Sequence, residues 1–257
     1  MPQPKRLLII AGSDSSGGAG IQADIKTASA FDVYAMTAIT AVTAQNTKTV
    51  SKIHIIPADV VREQIAACLS DIGADAIKIG MLGSAAIVKA VAAALKKHAR
   101  KIPIVLDPVM ISTSGKALLL ANAVGALKKH LLPLATLVTP NLPETKALTG
   151  MTNAEKAGRK LMGMGAKAAL IKGGHSTKET IDDVLVWDRG VDVFAFPRIK
   201  TRHTHGTGCT LSTAIACGLA KGEPLPLAVS RAREFLQHAI ETAPGFGKGH
   251  GPLNLLK

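Results

Sequence analysis

The chain has 257 residues, 47% of them hydrophobic and 3% aromatic, and a formal net charge of +13. That length suits one large α/β domain or two small ones, and a core of Ala, Val, Ile and Leu suits parallel strands under helices better than an aromatic-rich sandwich. No apolar run reaches the ~18 residues of a membrane span, three cysteines without CxxC spacing argue against a disulfide framework or zinc site, and lysines scattered in pairs, with few aromatics, argue against nucleic acid.

The opening "MPQPKRLLIIAGSD" has an apolar stretch too short for a secretory signal. A soluble chain in a reducing, cytoplasmic compartment is the expectation, with neither membrane nor nucleic acid as partner. "RLLIIAG" (6–12) is a short apolar run stopped by Gly and predicts a buried strand. Helical spacing follows at 19–32, then β-branched strands at 34–45 and 52–56. Residues 57–71 begin with Pro and keep a 3.6 period, so a helix is predicted. Strands at 74–80, 102–109, 135–141 and 166–174 alternate with helices at 84–99, 121–132 and 155–165. Residues 183–196 read as a hairpin turning at Asp188-Arg189-Gly190, and helices at 207–222 and 226–243 close the chain. This alternation predicts a central, mostly parallel sheet flanked by helices on both faces. With no Pro/Gly/Ser linker and no repeat, residues 1–257 are expected to form one domain.

Ligands of such sheets sit outside the carboxyl ends of the strands, so the polar residues following each strand are the place to search. The first group is Gly12-Ser13-Asp14 and the glycines beyond it. Gly18-Ala19-Gly20-Ile21-Gln22-Ala23 matches the dinucleotide pattern GxGxxA, but five residues separate Gly12 from Gly18, and no Lys-Ser/Thr pair completes a P-loop. Asn141 and Glu144 follow a strand as N-x-x-E. That spacing is most often a helix-capping box, while an amide and a carboxylate there also suit Mg²⁺ held through waters and phosphates. Lys172, at a strand end before Gly173-Gly174, suits a phosphate or a plain turn.

The stretch "HTHGTGCTLSTA" puts Gly206, Thr207 and Gly208 ahead of Cys209 at the start of a helix. Helix N-termini expose unpaired N–H groups, and glycines let an anion approach them. The same electropositive site is expected to lower a thiol's pKa, making Cys209 a thiolate candidate. A small core cysteine and a covalent nucleophile are the competing readings.

Taken together, "AGSDSSGGAGIQADIKT", "AVTAQNT", "KIGML", "LDPVM", "VTPNLPE", "IKGGH", "THGTGCTLS" and "GKGHGP" resemble, in order and over nearly the whole chain, the ribokinase superfamily. Within it they are most similar to the hydroxymethylpyrimidine and phosphomethylpyrimidine kinases of thiamine biosynthesis. The resemblance implies a ribokinase-like fold, ATP and Mg²⁺, and a homodimer. It implies that Cys209 accepts the substrate proton and that Gly206, Thr207 and Gly208 form the anion hole. It places the pyrimidine near Gly12, Asp24 and Gln45, with Met81 and Val109 against the ring. Asp107, Asn141, Glu144 and Lys172 would serve the ATP phosphates and the metal. Gln45 offers both a donor and an acceptor, which suits an aminopyrimidine edge. Pyridoxal kinases share much of this scaffold and remain the rival within the class. A nicotinamide-dependent oxidoreductase, resting on GxGxxA, is the rival outside it.

Overall fold

The computed structural model describes residues 3–110, 118, 121–177 and 179–256. The described strands form one nine-stranded sheet in the order β3-β2-β1-β4-β5-β6-β7-β8-β9. They are β1 (Arg6–Asp14), β2 (Tyr34–Gln45), β3 (Val50–Ile55), β4 (Ala76–Ile79), β5 (Ile104–Leu106), β6 (Leu137–Val138), β7 (Ala169–Ile171), β8 (Thr180–Trp187) and β9 (Gly190–Pro197). Strands β2, β1, β4, β5, β6 and β7 run parallel. The antiparallel strands are confined to the edges: β3 on one side, the β8–β9 hairpin on the other.

Both faces of the parallel strands are buried, which is why they read as continuous apolar runs. In β1, Leu8 and Ile10 join the core under α2 (Ala58–Asp71), α3 (Ala85–His98), α4 (Ala121–His130), α5 (Leu142–Thr149) and α6 (Ala154–Gly163). Leu7, Ile9 and Ala11 point the other way, into the core under α1 (Gly20–Ala30), α7 (Thr207–Ala220) and α8 (Leu225–Glu241). The period of two along a strand thus sorts one apolar run into two cores. Among the described residues, no helix is long and apolar enough to cross a membrane.

Several boundaries differ from those predicted. β1 continues past Gly12, because Ser13 and Asp14 regain pairing with Val42 and Thr43 beyond a shift in register. The predicted strands at 102–109, 135–141 and 166–174 are paired only at their centres. Apolar composition marks a buried segment, but hydrogen-bond pairing stops where the chain lifts into the loops above the sheet. The hairpin turns where predicted, with Trp187 opposite Gly190.

After β1 the chain moves to β2 on one side, and later places β4 on the other. This reversal opens a crevice at the carboxyl ends of β1 and β4, the usual ligand position in such sheets.

Candidate active site

A cavity of about 620 Å³ occupies that crevice and extends over the ends of β5, β6 and β7. It is lined by Gly12, Gln45, Met81, Val109, Asp107, Asn141, Glu144, Lys172, Gly206, Thr207, Gly208 and Cys209. Twelve of the thirteen residues expected at the site therefore share one cavity; the exception is Asp24.

The N-terminus of α7 forms part of the cavity wall. Gly206 is its N-cap, with φ of 89°. A Cβ at that position would collide with the Gly18 carbonyl oxygen, so only glycine satisfies both the backbone angle and the packing. The first-turn N–H groups of a helix have no acceptor within the helix; the Thr207 N–H is taken by the Thr204 carbonyl oxygen at 3.3 Å, and Gly208 and Cys209 line the cavity. At Gly208, a Cβ would lie 3.3 Å from both Asp107 Oδ2 and Lys172 Nζ. The missing side chain lets these two charged groups approach the helix end.

Lys172 Nζ donates to Asp107 Oδ1 at 2.8 Å, and Thr139 Oγ1 donates to the same oxygen at 3.2 Å. Burial alone would pull the Lys172 ammonium down, but Asp107 and Glu144 outweigh it and raise its proton affinity. Asn141 and Lys172 are drawn together by a parallel bridge between the ends of β6 and β7.

Asn141 and Glu144 form a complete capping box on α5: Glu144 N–H donates to Asn141 Oδ1 and Asn141 N–H to Glu144 Oε2, both at 2.9 Å. The capping and site readings prove compatible, because the capped carboxyl also lines the cavity. Burial pushes Glu144 up to about 7, with Asp107 adding to the rise and Lys172 opposing it. A buried carboxyl that lines the cavity is a hard-oxygen donor that fits a divalent cation. Among the described residues, no group of three or more His, Cys, Asp or Glu could hold a metal by itself. Phosphate oxygens and water would have to complete the shell.

Two expectations need correction. Asp24 is 0% exposed and does not line the cavity. Both its oxygens accept from Lys78 Nζ, at 2.9 and 2.7 Å, and Thr213 Oγ1 donates to Oδ1 at 2.7 Å. Its position on the inner face of α1 sends it to the sheet rather than to a ligand. The Cys209 thiol, expected to be acidified, is instead pushed up to about 11. Desolvation outweighs the help from Lys78 and from the Gly20 N–H, and Asp24 and Asp107 add to the rise. Proximity to a helix N-terminus does not outweigh loss of water plus two nearby carboxylates.

At the opposite end, the end of β1 and the segment just before α7 meet through a buried pair that the motif reading did not put together. His205 Nε2 lies 2.8 Å from Asp14 Oδ2 and 3.1 Å from Gln45 Nε2. Burial would raise the Asp14 carboxyl, yet hydrogen bonds from His205 and Ser16 hold it at about 2. Asp14 Oδ2 also accepts the Ala19 N–H at 2.8 Å. This carboxylate occupies the start of α1, where the dinucleotide reading of GxGxxA would need a pyrophosphate. Asp14 and His205 are 191 residues apart, and no local spacing announces them. Lys78 was also missed, although a lysine inside the apolar run "AIKIG" signals a buried, paired charge.

A mostly parallel sheet covered on both faces, with its strand ends converging on a glycine-fronted helix, defines a kinase of the ribokinase superfamily. The family model described as phosphomethylpyrimidine kinase matches residues 14–254, and the chain belongs to that family. It is 47% identical over 263 residues to the hydroxymethylpyrimidine/phosphomethylpyrimidine kinase of Haemophilus influenzae, covering 99% of this chain and 97% of the relative. It spans about half the length (51%) of the thiamine biosynthesis bifunctional protein ThiED of Geobacter sulfurreducens, at 46% identity over 96% of this chain. Among solved structures, an ADP complex of Bacillus subtilis pyridoxal kinase superposes with a TM-score of 0.88 at 37% identity, covering 98% of this chain and 97% of the other. A phosphomethylpyrimidine kinase from Clostridium difficile superposes with a TM-score of 0.82 at 41% identity, covering 92% of this chain and 99% of the other.

Proposed function

We propose that residues 1–257 act as one kinase domain that uses MgATP to phosphorylate 4-amino-5-hydroxymethyl-2-methylpyrimidine, and then its monophosphate to the diphosphate. The observation that supports this reading is that the α7 N-terminus, Lys172 and Glu144 line one cavity, with Lys172 close against Gly208. Donors fixed in advance around a transferring phosphoryl group are the main catalytic resource of such enzymes.

The pyrimidine is assigned to the end lined by Gly12, Gln45, Met81 and Val109. Gln45 reads the amino-substituted edge, while Met81 and Val109 cover the ring. The ATP phosphates are assigned to Lys172, Asp107, Asn141 and Thr207. Glu144 would hold Mg²⁺ through water, and the ion when bound neutralises phosphate charge. The substrate hydroxyl oxygen forms a bond to the γ-phosphorus as the bond to the ADP oxygen breaks. The hydroxyl proton passes to the Cys209 thiolate, while the Gly208 and Cys209 N–H groups bind the equatorial oxygens. A buried thiolate with high proton affinity is a strong base once formed, so transfer should accelerate with pH. In the second round the acceptor is the monophosphate oxygen, and no further site is needed.

The rival acceptor is pyridoxal, favoured by the 0.88 TM-score to a pyridoxal kinase. Mass spectrometry of products after incubation with MgATP and each acceptor in parallel separates the two. Sequential mono- and diphosphates of the pyrimidine support the proposal; phosphate on pyridoxal alone overturns it. We also propose a cytoplasmic homodimer without nucleic acid or membrane partners. A single-chain mass in light scattering at micromolar concentration would refute the dimer.

A further inference from the structure

Lys78 lies in β4 between Ile77 and Ile79, fully buried, on the strand face that looks toward α1 and α7. These two helices meet in register. Gly20 and Asp24 are one turn apart on α1, and Cys209 and Thr213 are one turn apart on α7. The upper layer joins the Gly20 N–H to the Cys209 thiol at the cavity. The layer one turn deeper joins Thr213 and Lys78 to the Asp24 carboxylate, at 2.7 to 2.9 Å. The charged groups around the thiol are Lys78 from β4, Asp24 from α1, Asp107 after β5 and Lys172 after β7.

We infer that Lys78 is a positioning residue for the Cys209 proton acceptor: held on Asp24 one helical turn behind the thiol, its ammonium offsets the carboxylates packed there and sustains a negative sulfur. The inference rests on the proposed role of Cys209. A purely structural pair would tie α1 to the sheet and leave the thiol's chemistry indifferent to which partner is removed. The arrangement here demands opposite effects. Without Lys78, the thiol loses the ammonium's favourable field, and whatever charge the buried Asp24 keeps adds to the loss; without the Asp24 charge, Lys78 acts on it alone. What the two removals change in opposite directions is the field at the sulfur.

The test is alkylation of Cys209 by iodoacetamide between about pH 7 and pH 10, followed by peptide-resolved mass spectrometry that separates it from Cys68 and Cys217; the thiolate is the reacting form. Lys78→Met should slow Cys209 alkylation by about tenfold at a given pH, and Asp24→Asn should speed it by a similar factor, each equivalent to about one pH unit of displacement. The double variant Lys78→Met/Asp24→Asn should return toward the native profile. Should Lys78→Met fail to fold, comparing the double variant with Asp24→Asn isolates the same ammonium, and the double variant should be the slower. Unchanged profiles, or equal displacement in the same direction by both single substitutions, would overturn the inference. Because alkylation needs no turnover, the product assay above judges the kinase reading separately.

Discussion

Cys209 combines a position at the third residue of α7 with a proton affinity raised to about 11. Its accepting form is the thiolate, whose fraction below that value grows tenfold with each pH unit. The expected outcome is a kcat/KM that climbs with pH from neutrality to about pH 10, measured in a coupled ADP-release assay. Cys209→Ala should lose that slope and lower kcat by about 10²–10⁴-fold, the usual worth of a general base, with the KM for ATP nearly unchanged. A native rate in Cys209→Ala would leave the anion hole as the catalytic device and remove the base. Glu144, at about 7, adds a second limb. It is protonated below that pH and ionised above it, so a cation that it holds competes with the proton. Raising Mg²⁺ should therefore displace the acid limb of the profile to lower pH; a limb indifferent to Mg²⁺ would separate Glu144 from the metal.

At the scale of elements, α7 is placed by its cap. Gly206 sits at positive φ against the Gly18 carbonyl, so Gly206→Ala must push the helix start away from the glycine loop. Activity should fall by at least about 10²-fold, the cost of misplacing oxyanion donors, while circular dichroism stays near native. Helix α5 is held by the Asn141–Glu144 box. Asn141→Ala should cost about 1 kcal/mol, seen as a drop of about 2–4 °C in Tm for a chain of this size, along with weaker ATP binding if its site role holds. Both elements were legible beforehand, the first from GTG before an apolar period and the second from N-x-x-E. These signals act over three or four residues, so a local window contains them. What no window contained was that one carboxyl could cap a helix and also line the cavity.

Across the whole molecule, the Asp14–His205 pair joins the end of the first strand to the segment that leads into the seventh helix, and so links distant parts of the chain. Asp14 is depressed to about 2 from a usual 3.8. A carboxylate held down in the folded state stabilises it at pH above 3.8, and that contribution disappears as pH falls toward 2. Thermal melts across this window should show a steeper loss of stability in the native chain than in Asp14→Asn; parallel curves would mean the pair contributes nothing. The sequence by itself determined the alternation of strands and helices, the two-faced core and where, at the strand ends, a candidate site was to be sought. Apolar period and turn chemistry are local properties, and a parallel sheet leaves its loops at one end. Only the tertiary structure decided that Asp24 turns inward to Lys78, that Asp14 meets His205, and that the Cys209 thiol holds its proton rather than releasing it. Those outcomes depend on loss of water and on charges brought together from residues up to 191 positions apart, and burial of that kind exists only once the chain has folded.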